Sequence, residues 1–121
     1  MNLFKVNRLF AMLMVVLLLG SGLIGQRIRL SRSNAYDLFH IVFGILALVA
    51  VVVQGGKYAA VFNLVFGAID LYQGVAYNLG LFPSQLFALM PFDTVVHYGL
   101  GAALFIVGLQ QLRRAPFGTP A

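Results

Sequence analysis

Long apolar runs separated by short polar segments dominate the pattern of this chain. A bilayer core of about 30 Å needs roughly 20 helical residues to cross it, and four runs meet or nearly meet that length. Because a backbone in lipid must pair its own hydrogen-bonding groups, each run is predicted to be an α-helix. The predicted spans are residues 9–25, 34–53, 58–82 and 92–112. The pattern therefore predicts an all-α fold, an integral membrane four-helix bundle that forms a single transmembrane domain over residues 1–121.

The segments between the runs contain residues that end or begin helices. Residues 26–33 contain three arginines, and residues 54–57 read Gln-Gly-Gly-Lys, which is typical of a tight polar turn. Pro83 follows the third run. Pro91 suits the first turn of the fourth helix, where proline's missing amide hydrogen costs nothing.

Composition excludes several classes of protein. Apolar residues make up 61% of the chain and charged residues only 9%, so a water-soluble enzyme would lack the charged surface it needs. The eight Lys and Arg residues are dispersed between apolar runs, and nucleic-acid binding is therefore not expected. Since there is no cysteine, disulfides, thiolate metal sites and cysteine nucleophiles are excluded. Membrane lipid is the expected surrounding partner.

The first run has a second interpretation. Lys5 and Arg8 precede it, and Gly20-Ser21-Gly22 resembles the small-residue cleavage region of a signal peptide. The run is long for a signal core. We therefore favour a membrane helix over removal of residues 1–22.

Positive charge favours one orientation. With four spans, both termini share a side that carries five Lys and Arg residues, against three on the opposite side. Cytoplasmic loops carry the excess of Lys and Arg, so cytoplasmic termini are expected. The five are Lys5, Arg8, Lys57, Arg113 and Arg114, and the three are Arg27, Arg29 and Arg32.

Small and polar residues recur at helical spacing in the last three runs. In each, a polar side chain precedes a glycine by four residues, so that both lie on one helix face, as His40 and Gly44 do. Faces of this kind pack closely against other helices in membranes. The predicted helix-packing residues are Gly44, Gly67, Gly74, Gly101 and Gly108.

Polar side chains at similar depth define a candidate cluster. His40 and His97 are expected to lie roughly 8–9 Å below the same membrane surface at about 1.5 Å per helical residue. Asp70 is expected nearer the middle of its span. The candidate polar cluster, in the half of the bundle opposite the termini, is Asp37, His40, Asp70, Asp93 and His97.

The three acids have different expected roles. Asp37 and Asp93 stand in first helical turns, where a carboxylate caps free amides, and we favour capping over pairing with a histidine. Asp70 lies deep in its span, where a charge costs about 2.5–3.5 kcal/mol on insertion scales. We expect Asp70 to be protonated, to be hydrogen-bonded to Tyr72, Asn78 or a partner helix, or to be functional.

The two histidines could be axial haem ligands or metal ligands, or they could hydrogen-bond between helices. Two ligands without a Cys, a Glu or a third His make a weak metal site, so we favour the hydrogen-bonding role and predict neither metal nor cofactor. No serine or threonine has the elbow motif or paired base of a nucleophile. The chain is therefore not expected to be an enzyme.

Two blocks resemble a known family. Residues 34–44, with Asn34, His40 and Gly44, match its opening "N-x-x-x-x-x-H-x-x-x-G", and residues 93–101 match its second block "D-x-x-x-H-x-x-x-G". The family is a small bacterial membrane family catalogued as domain of unknown function 4383, and the resemblance extends over about residues 5–112. It implies a four-helix protein of the bacterial inner membrane and implies no activity, substrate or cofactor.

Two functional hypotheses remain. The favoured one is a structural or interaction component that forms a homo-oligomer or belongs to a larger membrane complex, supported by the small-residue faces and short loops. The alternative is a protein that handles a cofactor, protons or ions through His40, His97 and Asp70.

Overall fold

A computed structural model of the chain describes residues 2–24, 33–87 and 91–114. Within these ranges the fold is helical, and each of the four long helices is apolar enough to cross a membrane. The predicted all-α, four-helix membrane architecture is thus confirmed. Arg27, Arg29 and Arg32, which lie between the first two predicted spans, are outside the described residues. The helices are α1 (Leu3–Ile24), α2 (Asn34–Val52), α3 (Ala59–Leu79) and α4 (Pro91–Arg114).

Helix α1 begins earlier than the apolar pattern predicts. It starts at Leu3 instead of residue 9. The Asn2 side-chain oxygen accepts a hydrogen bond of 2.8 Å from the Phe4 amide, which caps the helix start. Hydropathy detects only the apolar part of a helix, and the first turns of α1 include Lys5 and Arg8.

Helix α3 ends earlier than predicted. Gly80 adopts a left-handed conformation with φ of 68°, and its amide donates to the carbonyls of Ala76 and Tyr77. Because glycine has no Cβ, it takes this conformation without strain and ends the helix at Leu79 instead of residue 82. A short 3-10 turn, Val53–Gly55, joins α2 to the segment before α3.

The bundle consists of two closely packed helix pairs, α1 with α2 and α3 with α4, and α1 also contacts both helices of the second pair. Helix α3 is the most enclosed, since 56% of its most apolar stretch is buried, compared with 22% in each of the others. Its inward polar side chains are therefore screened from lipid by the other helices. Removal of residues 1–22 would take Ala11, Met14 and Leu18 out of the main hydrophobic core.

Three of the glycines predicted to pack lie where α3 and α4 meet backbone to backbone. A Cβ on Gly67 would lie 2.6 Å from the Phe105 amide nitrogen, and one on Gly108 would lie 2.7 Å from the Ala60 carbonyl oxygen. A Cβ on Gly101 would lie 3.0 Å from the carbonyl oxygen of Gly67. Any side chain at these positions would push the helices apart.

The other two predicted packing glycines face side chains. A Cβ on Gly44 would lie 2.6 Å from Leu19 on α1, and one on Gly74 would lie 2.8 Å from the ring of Tyr98 on α4. All five glycine faces thus meet partners within the same chain. The outer surface is instead apolar and exposed, as lipid contact requires; on α2 it includes Leu38, Val42, Ile45, Leu46, Leu48, Val49 and Val52.

Candidate functional site

Four of the five residues of the predicted polar cluster line one cavity inside the bundle. The cavity has a volume of about 350 Å³ and is bounded by all four helices. Helix α1 contributes mainly apolar side chains, and α3 contributes Phe66 beside the acid. Two carboxyl groups, two imidazoles and a phenol are thus brought to one space. These polar residues are Tyr36, His40, Asp70, Asp93 and His97.

Asp37, the fifth predicted member, does not line the cavity. It lies in the first turn of α2, as expected, but the cap of that helix is Ser33, whose hydroxyl oxygen accepts from the Tyr36 amide at 3.2 Å. The N-cap of α2 is therefore Ser33 and not Asp37, which stands in the first turn near the positive end of the helix dipole. The Ser33 hydroxyl also donates to the Leu86 carbonyl at 2.7 Å, which ties the start of α2 to the segment after α3.

A hydrogen bond between Tyr36 and His97 crosses the bundle at the cavity. The Tyr36 hydroxyl oxygen lies 2.8 Å from His97 Nε2, and both residues are buried. Helices α2 and α4 make no direct backbone packing contact within the described parts of the chain. The phenol therefore spans the space between two helices that are otherwise held apart by α1 and α3.

The Tyr36 ring also holds His40 in place. The two ring centroids are 4.1 Å apart, and on its other side Tyr36 stacks on Phe87 at 5.0 Å with an interplanar angle of 26°. Tyr36 and His40 are four residues apart on α2 and so share a helix face. One phenol thus contacts both imidazoles, and this explains how two histidines on different helices reach one site.

Asp70 is enclosed by protein yet makes no hydrogen bond to any described residue. Its side chain is 4% exposed and lines the cavity. The two partners expected for it are engaged elsewhere: the Tyr72 hydroxyl donates to the Phe82 carbonyl at 2.5 Å, and the Asn78 amide donates to Gly74 and to the Tyr98 hydroxyl. The expected hydrogen bond to Tyr72 or Asn78 is therefore not formed, and the carboxyl group of Asp70 faces the cavity.

The same end of the bundle contains other buried hydrogen-bonding atoms that have no partner among the described residues. Leaving such a group unpaired costs about 1–3 kcal/mol, so several in one region are unusual for a purely structural interior. This end therefore holds more hydrogen-bonding capacity than the protein itself pairs. The atoms are Asp37 Oδ1, His40 Nδ1, Gln73 Oε1, Thr94 Oγ1 and His97 Nδ1.

The described residues offer no group of three or more His, Cys, Asp and Glu side chains arranged to hold a metal ion. His97 Nε2 takes part in the hydrogen bond to Tyr36, as the hydrogen-bonding role predicted for this histidine requires. What the cavity can do chemically is to accept and donate hydrogen bonds and to face a positive charge with carboxyl groups.

A second buried polar network lies at the other end of the bundle. The Asn7 amide nitrogen donates to the Val107 carbonyl at 2.9 Å and to Gln111 Oε1 at 3.0 Å. The Asn63 amide donates to the Asn7 backbone and side-chain oxygens at 2.9 and 3.0 Å. All three side chains are almost fully buried, and together they join α1, α3 and α4. This network links three helices at the end of the bundle opposite the cavity.

Sequence reasoning missed Tyr36, Asn7 and Gln111 as parts of these two sites. Tyr36 could have been found, because it stands one helical turn before His40. Asn7 lies between Lys5 and Arg8, in what the sequence pattern shows only as a polar flank, and Gln111 lies two residues before a pair of arginines. Nothing in the local pattern shows that these two amides turn inward.

Comparisons with protein-family models, with curated proteins and with solved structures find no match to this chain. The resemblance to the four-helix membrane family therefore stays a prediction. The features that bear on function are the cavity and the residues that line it.

Proposed function

We propose that this chain is an integral membrane protein that binds a small molecule in the cavity between its four helices. The observation that carries the proposal is Asp70, an enclosed carboxyl group that faces the cavity without a hydrogen-bond partner among the described residues. An acid inside a membrane span is expensive to maintain and usually marks a binding site or an ion or proton path. The proposal includes no catalytic step.

The size and lining of the cavity support this function. Ligand sites typically have volumes of about 300–1,000 Å³, with mostly apolar walls and a few convergent polar groups. At 350 Å³ the cavity is at the small end of that range, about the liquid volume of a dozen water molecules. Met14, Leu18 and Leu100 supply apolar wall, and the five polar residues supply orientation.

The interaction role expected from the small-residue faces loses its main support. Those faces were the reason to expect a second copy or a larger complex, and Gly67, Gly101 and Gly108 instead meet the neighbouring helix of the same chain. Ligand binding accounts for the polar residues as well, which self-association does not.

The location proposed for the protein is a bacterial inner membrane with both termini in the cytoplasm. The excess of Lys and Arg on the side of the termini supports the orientation, and Arg113 and Arg114 lie in the last turn of α4, where they would face the cytoplasmic headgroups. The bacterial inner membrane rests on the family resemblance.

A cavity-filling substitution tests the proposed function. Ser21 on α1 lines the cavity, whereas Leu23, two residues further along, is 66% exposed on the outer surface. We expect Ser21→Phe to occupy the cavity and Leu23→Phe to leave it open. Each protein is purified in membrane-derived nanodiscs, and small molecules extracted from it are compared by mass spectrometry.

The expected result is one small molecule retained in near-stoichiometric amount by the wild type and by Leu23→Phe and lost from Ser21→Phe. The same small molecules in the same amounts from all three proteins would contradict the proposal. Near-identical circular dichroism of the two variants is the control for folding.

A further inference from the structure

Two of the acids of the chain line the cavity. Asp70 on α3 and Asp93 on α4 contribute carboxyl groups, and neither Lys nor Arg is among the described residues that line it. In a chain with a net charge of +5 and only three acids, two of those acids border this one space. The described part of the lining therefore presents the enclosed carboxyl group of Asp70 to a positively charged or strongly hydrogen-bond-donating group.

Aromatic rings share the cavity wall with the carboxyl groups. Tyr36 and Phe66 are buried and line it from α2 and α3, and Phe92 lines it from α4. Aromatic faces attract cations, and the attraction is strongest where water is excluded. Carboxyl groups and aromatic rings together form the usual recognition surface for an alkylammonium group.

Some of the residues that line the cavity on α1 and α4 are exposed on the outer surface. Among its lining residues, Leu17 on α1 is 40% exposed and Phe92 on α4 is 65% exposed, whereas Asp70 at its inner end is 4% exposed. Helices α1 and α4 are joined at their other end through Asn7. The lining therefore includes exposed apolar side chains as well as the enclosed carboxyl group of Asp70.

From these three observations we infer that the cavity takes an organic cation with an apolar body, an alkylammonium compound that partitions into the membrane, and that Asp70 pairs with its charge. The inference rests on the proposed function and names its ligand class. A bare metal ion does not fit as well, because it would leave the apolar walls without contact and the described side chains do not offer three ligands for it.

Two probes of the same shape test the charge directly. Benzyltrimethylammonium is a cation, and neopentylbenzene is its neutral counterpart with carbon in place of nitrogen. Binding of each is measured by equilibrium dialysis against the protein in nanodiscs of zwitterionic lipid, with empty nanodiscs subtracted. The proteins are the wild type, Asp70→Asn, Ser21→Phe and Leu23→Phe.

We expect the cation to bind the wild type and Leu23→Phe equally. Binding to Asp70→Asn should be about 10-fold weaker or more, as loss of a charged partner implies, and Ser21→Phe should not bind. The neutral probe should bind the wild type at least about 10-fold more weakly than the cation.

Neutral and cationic probes that bind the wild type equally, and are both lost in Ser21→Phe, would overturn the cation inference and leave the proposed function intact. Failure of both probes to bind the wild type would also overturn the inference, and the retained-molecule experiment above then decides the proposed function separately. If Asp70→Asn does not fold, the comparison of the two probes on the wild type and Ser21→Phe still decides.

Discussion

Tyr36 is the residue on which the geometry of the cavity depends most. Its hydroxyl hydrogen-bonds to His97, its ring contacts His40, and its far side stacks on Phe87. A single phenol thereby fixes the position of both imidazoles relative to the carboxyl group of Asp70. Position-specific hydrogen bonds of this kind orient a site more than they stabilise a fold, because their net contribution is only about 0.5–1.5 kcal/mol each.

Tyr36→Phe should therefore lower the free energy of unfolding by about 1 kcal/mol, because the phenyl ring keeps its stacking and loses only the hydrogen bond. Thermal unfolding in detergent, followed by circular dichroism, measures the change. Tyr77→Phe is the matched control, since the Tyr77 hydroxyl makes no hydrogen bond to a described residue, and it should change stability by less than half as much. Equal effects of the two substitutions would show that the contact with His97 contributes nothing.

At the scale of helices, the pairing of α3 with α4 depends on residues that have no side chain. Gly67 and Gly101 allow the two backbones to approach so closely that a Cβ on Gly101 would lie 2.9 Å from the Asp70 Cβ. The close contact also brings Asp70 to the wall it shares with His97. The pattern of small residues four positions after polar ones predicted these faces, because both features recur with the period of the helix.

Alanine substitutions at two glycines on α4 are predicted to change the free energy of unfolding in opposite directions. A Cβ on Gly101 would lie 3.0 Å from the Gly67 carbonyl oxygen, whereas one on Gly99 would meet nothing within 4 Å. Gly101→Ala should lower the free energy of unfolding by about 1–3 kcal/mol through overpacking. Gly99→Ala should raise it by up to about 1 kcal/mol, since alanine is the better helix former. Thermal unfolding of both variants checks the signs, and a stabilised Gly101→Ala would contradict the packing described here.

The features that could be predicted from the sequence are those that depend on a single helix. The spans and the inward faces of α2, α3 and α4 are periodic features of single helices, and those could be predicted. The partners of Asp70 could not, because Tyr72 and Asn78 are near it in sequence but bond to Phe82 and Tyr98 instead. Such contacts depend on how each helix is rotated and on which helices are its neighbours. The sequence of a single helix determines neither.

At the scale of the whole molecule, the bundle has two differently built ends. Near the termini, Asn7 bonds to Asn63 and to Gln111 and so joins three helices, and one buried atom there, Asn63 Oδ1, has no partner among the described residues. At the opposite end, Tyr36 bonds to His97, and the carboxyl group of Asp70 faces the cavity without a hydrogen-bond partner among the described residues. A protein stabilised only for packing would be expected to satisfy both ends in the same way, and this difference is why we assign function to the second end.

The central claim is that the cavity binds an organic cation beside Asp70, and the scarcity of acids makes a direct measurement practical. The chain has three Asp and Glu residues in total, so a protein labelled with carboxyl-¹³C aspartate contains few carboxyl signals, and Asp70→Asn identifies one of them. Solid-state NMR in bilayers then measures dipolar coupling between that carbon and the nitrogen of bound ¹⁵N-benzyltrimethylammonium. We predict a coupling that corresponds to a separation within about 6 Å, the range of a direct charge contact. A bound probe without coupling to Asp70, or no bound probe, would contradict the account.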